Sequence, residues 1–486
     1  MNLINWKFVF RVAGLTLLLE SVFMFLTAGV SLYLREGVAV FVFSALLTLS
    51  AGLIPFFLSG VKTKFKIVGK KESCLSVTFA WVSFAVFGAL PFFLSGQADS
   101  FADAVFESTS GITTTGASVF TDVNALPKSI LFWRSLIQWL GGLGIIVFSL
   151  ALFPLMGGGA AHLFDSETTG LTHDKFRPRI NEMAVRLWLV YLSLTGALIL
   201  LLAVGKMSIF DAVCHAFSTI STGGFSTKGA NLAHWDSIYI ETVTCIFMLI
   251  GATNFALLYF LFQGKFKKFF CDEELRWFAA IILVTGSFIA VCLQWGRGWE
   301  DALGSVRIAF FRVISVITGT GFSTGDFVGW RAAYWIPFIF LMFICGCAGS
   351  TSGGMKVIRV VVLTKNTFYE FKRLVHPRAV IPVRINGEVL SFGTVQRLLA
   401  FGFLYILIIF ASWGILVFSG MPFMDALVAA LSSLGNTGLG FAETGLSGGF
   451  SGISTFAEWY MAFLMVVGRV EIFTVLVLFI PAFWKN

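Results

Sequence analysis

Long apolar segments constrain the fold of this chain more than any other feature. Ten of them reach the length of about 20 residues that a helix needs to cross the hydrocarbon core of a bilayer. The composition agrees, because 57% of the 486 residues are hydrophobic and only 12% are charged, whereas soluble domains carry about 25% charged residues. The sequence therefore predicts an integral membrane protein with spans at 8–34, 38–59, 74–95, 131–155, 184–205, 238–262, 277–296, 334–364, 398–419 and 456–480.

Basic residues in the short loops predict the orientation of these spans. Loops on one side of the membrane carry 21 lysines and arginines, and loops on the other side carry eight. Because positive residues accumulate in cytoplasmic loops, both termini are expected in the cytoplasm. The same rule explains the net charge of +8, so nucleic acid is not expected as a partner.

An internal repeat lies between the spans. Four short apolar stretches, at 101–112, 210–220, 305–317 and 424–434, are too short to cross a membrane and suit re-entrant helices. Each is followed by a turn rich in glycine and threonine, and the four turns align without gaps on one shared glycine. The shared glycines are Gly116, Gly224, Gly321 and Gly438.

An aspartate supports this register in three of the copies. Asp103, Asp211 and Asp425 each lie 13 residues before the shared glycine, where we expect an N-cap of the short helix. In the third copy Asp301 lies 20 residues ahead of Gly321. The seven additional residues correspond to about two helical turns, so a longer helix is expected there.

The repeats predict the architecture. Each unit consists of a span, a re-entrant pore helix, a turn and a second span, so all four units share one orientation and are related by an axis along the membrane normal. The predicted fold class is an all-α integral membrane protein with four parallel repeats in a pseudo-fourfold arrangement around a central pore, plus an N-terminal pair of transmembrane helices. The predicted boundaries are 1–72 for the helix pair and 73–183, 184–276, 277–397 and 398–486 for the pore repeats.

The glycine-rich turns are candidates for a selectivity filter. Irregular backbone survives at membrane depth only when it is buried in protein or lines a water-filled cavity, and rings of backbone carbonyls can replace the hydration shell of an alkali cation. The alternative is that the turns are small-residue helix contacts, which are common in membranes. The predicted carbonyl ligands of K+ are Thr114, Thr115, Gly116, Thr222, Gly223, Gly224, Gly319, Thr320, Gly321, Asn436, Thr437 and Gly438.

These turns resemble those of the bacterial Trk/Ktr/HKT potassium-uptake superfamily, in particular its membrane subunits of the TrkH type. The most specific motifs are Ser-Thr-Gly-Gly-Phe-Ser-Thr at 221–227 and Gly-Thr-Gly-Phe-Ser-Thr at 319–324. One filter glycine in every unit implies potassium selectivity, whereas a serine in place of Gly116 would resemble the sodium-preferring plant members. The resemblance also implies location in the bacterial inner membrane, a homodimer with one pore in each protomer, and a separate cytosolic ring of the TrkA type that binds nucleotides and gates the pore.

A glycine-rich interruption of the third unit's second span predicts a gate. Glycine weakens a helix by about 1 kcal/mol relative to alanine, and the resemblance implies an intramembrane loop at this place. Arg469 lies in the middle of the fourth unit's second span, where arginine is costly and turns inward. It could repel cations and hold the loop through carbonyls, with Glu471 as a candidate partner; the alternatives are a tight helix crossing and a structural ion pair. The predicted gate residues are Gly346, Cys347, Ala348, Gly349, Ser350, Thr351, Ser352, Gly353 and Arg469.

The function predicted from these features is channel-like, potassium-selective uptake that also admits rubidium. The alternatives are a secondary transporter that couples potassium to protons or sodium, and a sodium-preferring member of the same superfamily. An enzyme is not expected, because the five histidines have no metal-ligand spacing and no nucleotide-binding motif is present. Potassium is expected as the transported ion, with no organic cofactor in this chain.

Overall fold

The computed structural model describes residues 4–60, 69–142, 144, 180–297, 302–324, 335–440 and 450–484. The end of the predicted span 131–155 lies outside the described residues. So do the basic segment 61–68 and most of residues 156–183, which separate this span from the next predicted span. The division of the chain at residues 72, 183, 276 and 397 remains a prediction.

The described residues are mainly helical. The helices are α1 (Trp6–Tyr33), α2 (Val38–Leu58), α3 (Lys70–Gly88), α4 (Leu90–Leu94), α5 (Phe101–Ile112), α6 (Lys128–Gly142), α7 (Ile180–Val204), α8 (Ile209–Ile220), α9 (Ile238–Gly251), α10 (Phe255–Phe262), α11 (Phe266–Phe270), α12 (Glu273–Arg297), α13 (Ala302–Ile317), α14 (Trp335–Ile344), α15 (Val357–Val375), α16 (Phe392–Phe418), α17 (Phe423–Gly435), α18 (Thr455–Val470), α19 (Ile472–Leu476) and α20 (Pro481–Trp484). Short 3-10 helices cover Val123–Ala125, Asn231–Trp235 and Val477–Phe479. A small antiparallel hairpin, which the sequence analysis did not predict, pairs β1 (Arg384–Ile385) with β2 (Glu388–Val389).

Six helices within the described part of the chain are long and apolar enough to cross a membrane. Two of the ten predicted spans are not continuous helices, and this corrects the prediction. The span 238–262 divides into α9 and α10 with a bend of 107°, and the span 456–480 divides after α18 with a bend of 114°. The predicted interruption of the span 334–364 is present between α14 and α15.

The short helices α5, α8, α13 and α17 occupy the predicted re-entrant positions. The third of them, α13, has 16 residues against 12 in α5 and α8, so the longer helix expected in the third repeat is present.

The aspartates Asp103, Asp211 and Asp425 are not N-caps, which corrects the prediction. Ser100 caps α5 and accepts a hydrogen bond from the Asp103 backbone N–H, while the Asp103 side chain accepts from the Ser100 N–H at 2.9 Å. This reciprocal capping box satisfies two free donors at once.

The N-terminal helix pair packs against the first repeat. In α6, every residue from Ser129 to Gly142 is buried, so this helix needs cover on all sides. The turn between the two helices provides part of it, because the Glu36 carboxylate accepts hydrogen bonds from the backbone N–H groups of Lys128 (2.9 Å) and Ser129 (2.8 Å). A carboxylate at a helix N-terminus satisfies free donors and complements the helix dipole. The pair therefore fixes the position of α6.

Candidate ion pathway

The four turns share one backbone conformation. Each has a residue in the left-handed region two positions before the shared glycine, and the shared glycine itself is also left-handed. The φ values of the first set are +54° at Thr114, +54° at Thr222, +73° at Gly319 and +52° at Asn436, and those of the second set are +84° at Gly116, +78° at Gly224, +77° at Gly321 and +67° at Gly438. The sequence analysis names the members of the first set as carbonyl ligands but does not predict their left-handed conformation, although the glycine and the asparagine among them are residues that favour this region.

Hydrogen bonds to the preceding helix hold each turn. A backbone N–H of the turn donates to the carbonyl of a serine that lies six residues before the shared glycine. The pairs are Thr115–Ser110 at 2.8 Å, Gly223–Ser218 at 2.8 Å, Gly321–Ser315 at 3.1 Å and Thr437–Ser432 at 3.0 Å. The repeated serine is a further landmark that the sequence analysis overlooked. Because β-branched residues are outliers in the left-handed region, these bonds help to stabilise Thr114 and Thr222 there.

The four turns contact one another in cyclic order. At each shared glycine, the position that a Cβ atom would take lies within 3.0 Å of a backbone carbonyl oxygen of the next turn. The pairs of glycine and oxygen are Gly116 with Gly223, Gly224 with Thr320, Gly321 with Thr437, and Gly438 with Thr115. The last pair joins the fourth turn to the first, so the turns close a ring within one chain. Both the backbone conformation and the available space favour glycine at these four positions.

The predicted gate residues form a loop that packs against the ring. Thr351 donates its hydroxyl to the carbonyls of Ile220 (3.1 Å) and Gly251 (3.0 Å) and lies 3.2 Å from the Thr222 hydroxyl. Ser352 Oγ lies beside Gly319 of the third turn, and Gly353 lies against the fourth turn at Asn436. The loop therefore contacts three of the four units directly.

Backbone hydrogen bonds join the same loop to the break in the second unit. Cys347 N–H donates to the Ala252 carbonyl at 2.9 Å, and Phe255 N–H donates to the Gly349 carbonyl at 3.1 Å. From the other side, one Glu274 carboxylate oxygen accepts from the Ala348 N–H at 2.7 Å and from the Ile358 N–H at 3.0 Å. These bonds give the loop a defined conformation.

Arg469 connects the loop to the first unit. Its guanidinium donates to the Thr351 carbonyl at 2.7 Å and to the carbonyls of Gly141 (2.5 Å) and Gly142 (3.1 Å), where α6 ends. Helix ends leave carbonyls without an intrahelical partner, and the five donors of arginine can satisfy several of them at once. The guanidinium carbon also lies 5.6 Å from the centre of the Trp81 ring.

Glu471, the candidate partner of Arg469, forms an ion pair with Arg359 of α15 at 2.7 Å. The helix ends at this glutamate, whose φ is +76°, so helical spacing does not govern the direction of its side chain.

The alternative of tight helix crossings also holds in part. A Cβ at Gly141, Gly251 or Gly468 would press on a carbonyl in the last turn of the preceding short helix, so these glycines allow close packing.

A buried ion pair that the sequence analysis missed lies behind the ring. Arg134 of α6 and Glu107 of α5 are 2.7 Å apart, with 3% and 0% of their side chains exposed. Glu107 also accepts from the Val119 N–H at 3.1 Å, and Arg134 lies over the Phe225 ring at 4.1 Å. The pair thereby links the segments that follow the first and second turns. A charged residue in each of two apolar helices is the signal that could have identified it, because such residues are rarely left unpaired in a membrane.

Comparisons with known proteins match this chain over its whole length. A family model described as "TrkH: Cation transport protein" matches residues 57–486. The Trk system potassium uptake protein TrkH of Salmonella typhimurium is 36% identical over 486 residues, which cover 99% of this chain and 100% of the relative. The protein of the same name from Vibrio parahaemolyticus is 37% identical over 488 residues, with 99% and 100% covered.

A solved structure agrees with the fold. The crystal structure of the potassium transporter TrkH from Vibrio parahaemolyticus superposes with a TM-score of 0.88 at 35% identity, and the match covers 100% of both chains. This similarity confirms the predicted fold class of a helical membrane protein. Together with the family match and the two relatives, it confirms the predicted superfamily, since each of these similarities extends over most of the chain.

Proposed function

This chain belongs to the TrkH family of cation transport proteins, and from that premise we propose that it takes up potassium through a selective, channel-like pore. The relatives named above are potassium uptake proteins, and we extend that activity to this chain. Rubidium is expected to pass as well, since its ionic size is similar to that of potassium. In this proposal potassium is the transported ion, the chain holds no organic cofactor, and it catalyses no reaction.

The closed ring of turns is the observation that carries this proposal. Each shared glycine faces a carbonyl oxygen of the next turn, so four units bring their carbonyls together around one axis. Such carbonyls can replace the water around an alkali cation. The helices α5, α8, α13 and α17 end at this ring, and the partial negative charge of their C-termini favours a cation there.

The loop between α14 and α15 supports a gate on the same path. It packs against the second, third and fourth turns, and Arg469 ties it to the first unit. A guanidinium at this position repels cations and holds the loop by hydrogen bonds. We propose that ions pass when the loop, residues 346–353, leaves this position.

The remaining features of the proposal come from the family resemblance. They are a homodimer with one pore in each protomer, a cytosolic nucleotide-binding ring of the TrkA type as regulatory partner, and location in the bacterial inner membrane with both termini in the cytoplasm. The excess of basic residues in alternate loops supports this orientation.

Rubidium-86 uptake into proteoliposomes that contain this chain alone tests the proposal. Potassium and sodium are added outside as competitors over the same concentration range, and empty liposomes serve as the control. We expect potassium to block uptake at far lower concentration than sodium. Where the chain alone is closed, the same measurement is made with the cytosolic partner added.

Two other results would favour the alternatives. Equal block by sodium would indicate a sodium-preferring member of the superfamily. Uptake that requires an imposed proton or sodium gradient, and stops when that gradient is collapsed at constant membrane potential, would indicate a coupled transporter.

A further inference from the structure

The second turn differs from the others at the residue before its shared glycine. Three turns have threonine there, at Thr115, Thr320 and Thr437, and the second has Gly223. The backbone of Gly223 lies outside the left-handed region, so its conformation does not require glycine. The reason is space, because a Cβ at Gly223 would lie 2.6 Å from Oε1 and 2.8 Å from Nε2 of Gln138.

Gln138 is fully buried in α6 and belongs to the first unit. Its side-chain amide donates to the Gly223 carbonyl at 2.7 Å, and its side-chain oxygen accepts from the Phe225 N–H at 3.1 Å. One amide group thus holds the backbone on both sides of Gly224. The Gly223 oxygen that it binds is also the oxygen that faces Gly116 in the ring.

Two of the other turns stabilise the same position with their own threonines. The hydroxyls of Thr113 and Thr115 are 2.8 Å apart in the first turn, and those of Thr318 and Thr320 are 2.8 Å apart in the third. With glycine at 223, the second turn has no hydroxyl for such a pair. Ser221 occupies the position that corresponds to Thr113 and Thr318.

We infer that Gln138 is a positioning residue of the ion pathway, which replaces the missing threonine of the second turn and fixes the Gly223 carbonyl. This inference rests on the proposed function, since it gives Gln138 a role in ion preference. A carbonyl held at a fixed distance from the axis coordinates a large cation and cannot move inward around a smaller one. Removing the amide frees the oxygen, so discrimination against sodium falls.

Gln138→Met tests the role in ion preference, because methionine has a similar volume and makes neither hydrogen bond. The matched control is Ser135→Ala, on the same buried helix, where the hydroxyl donates to the Leu131 carbonyl at 3.1 Å. The readout is the ratio of sodium to potassium concentrations that halve rubidium-86 uptake. We expect this ratio to fall about two- to tenfold in Gln138→Met, as for the loss of one or two hydrogen bonds, and to stay at the parent's value in the control.

A compensating pair of substitutions tests the spatial complementarity. Gly223→Thr alone places a side chain where Gln138 lies, so we expect a lower melting temperature and loss of uptake. Combined with Gln138→Ala, the threonine has room and can pair with Ser221, as in the first and third turns. The double variant should regain the parent's melting temperature and most of its ion ratio.

Three outcomes separate the inference from the proposed function. If Gln138→Met folds normally and keeps the parent's ratio, the inference is wrong and the proposed function stands. If the double variant is no more stable than Gly223→Thr, the complementarity of Gln138 and Gly223 is wrong. If the parent itself does not distinguish potassium from sodium, the proposed function fails, and the role of Gln138 in ion preference fails with it. The melting temperatures of Gly223→Thr and the double variant then still test whether Gln138 and Gly223 are complementary in space.

Discussion

One added side-chain carbon at Gly116 is enough to disturb the ring of turns. The residue has φ of +84°, and a Cβ there would press on the Gly223 carbonyl oxygen. A left-handed backbone alone costs a residue with a side chain about 1–2 kcal/mol. We therefore expect Gly116→Ser to reduce the preference for potassium over sodium about tenfold, measured by competition in rubidium-86 uptake, and Gly438→Ser to act in the same direction.

Gly414→Ser is the matched control for these variants. Gly414 lies within α16, and nothing is within 4 Å of the position of its Cβ. This variant should keep the parent's uptake and ion preference. If Gly116→Ser inserts normally and also keeps that preference, the turns are not the filter.

Arg469 is the second residue at which a single change should be decisive. Its three hydrogen bonds to Thr351, Gly141 and Gly142 are of the charged type, which contributes about 1.5–3 kcal/mol each. We expect Arg469→Ala to raise basal rubidium-86 uptake about tenfold or more. Arg469→Lys should give a smaller rise, because lysine keeps the charge but lacks the planar group that reaches several carbonyls.

Arg186→Ala serves as the control for loss of an arginine. Arg186 is exposed on α7 and donates a hydrogen bond to the Tyr259 hydroxyl. Neither residue belongs to the ring of turns or to the loop. The basal rubidium-86 uptake of Arg186→Ala should equal that of the parent. Unchanged or lower uptake in well-folded Arg469→Ala would show that the arginine does not keep the pore closed.

The loop between α14 and α15 acts as one element, since it is held from several sides. Deletion of residues 347–352 removes the Thr351 carbonyl that binds Arg469, the Thr351 hydroxyl bonds to Ile220 and Gly251, and the Cys347 bond to Ala252. We expect a larger increase in basal uptake than in Arg469→Ala, measured in the same liposomes. Thr351→Val, which removes the hydroxyl and keeps the carbonyl, should give a smaller increase than either. If the deletion variant elutes as a single species but conducts no more than the parent, the loop does not keep the pore closed.

The sequence predicted the elements that depend on local pattern and missed those that depend on distant contacts. The short helices and glycine turns follow from apolar length and glycine spacing, and they are where the sequence places them. The sequence analysis does not predict the bend after α9, because it assigns the span 238–262 from apolar length alone. In the structure, Asn254 caps the next helix by accepting from the Ala256 N–H at 2.8 Å. No sequence rule joins Arg469 to Gly141, since the two residues meet only when the first and fourth units are adjacent.

Contacts between units are also not predictable from the sequence alone. The sequence predicts Gly223 as a carbonyl ligand of the second turn, and nothing local indicates that its missing side chain makes room for Gln138 of another unit. The ion pair of Glu107 and Arg134 is a similar case, since its partners lie on different helices. Sequence reasoning thus located the turns, and the structure adds what surrounds them.

The whole ring is completed within one chain, and this bears on how a dimer would conduct. The contact between Gly438 and the Thr115 carbonyl closes the circle of four turns, so this circle is complete without a residue from a second copy. If the protein is a homodimer, as the family resemblance implies, each protomer should conduct by itself. The ion preference of one protomer should then be independent of a substitution in the other.

Heterodimers of the parent and Gly116→Ser, purified through two different tags, test this independence. Two separate pores predict a sodium inhibition curve for rubidium-86 uptake that is the weighted sum of the two homodimer curves, because each pore keeps its own filter. The weights are the relative uptake rates of the two homodimers, which are measured separately. A curve with one intermediate midpoint would instead mean that both chains line a shared path, and it would overturn the assignment of a complete ring to each chain.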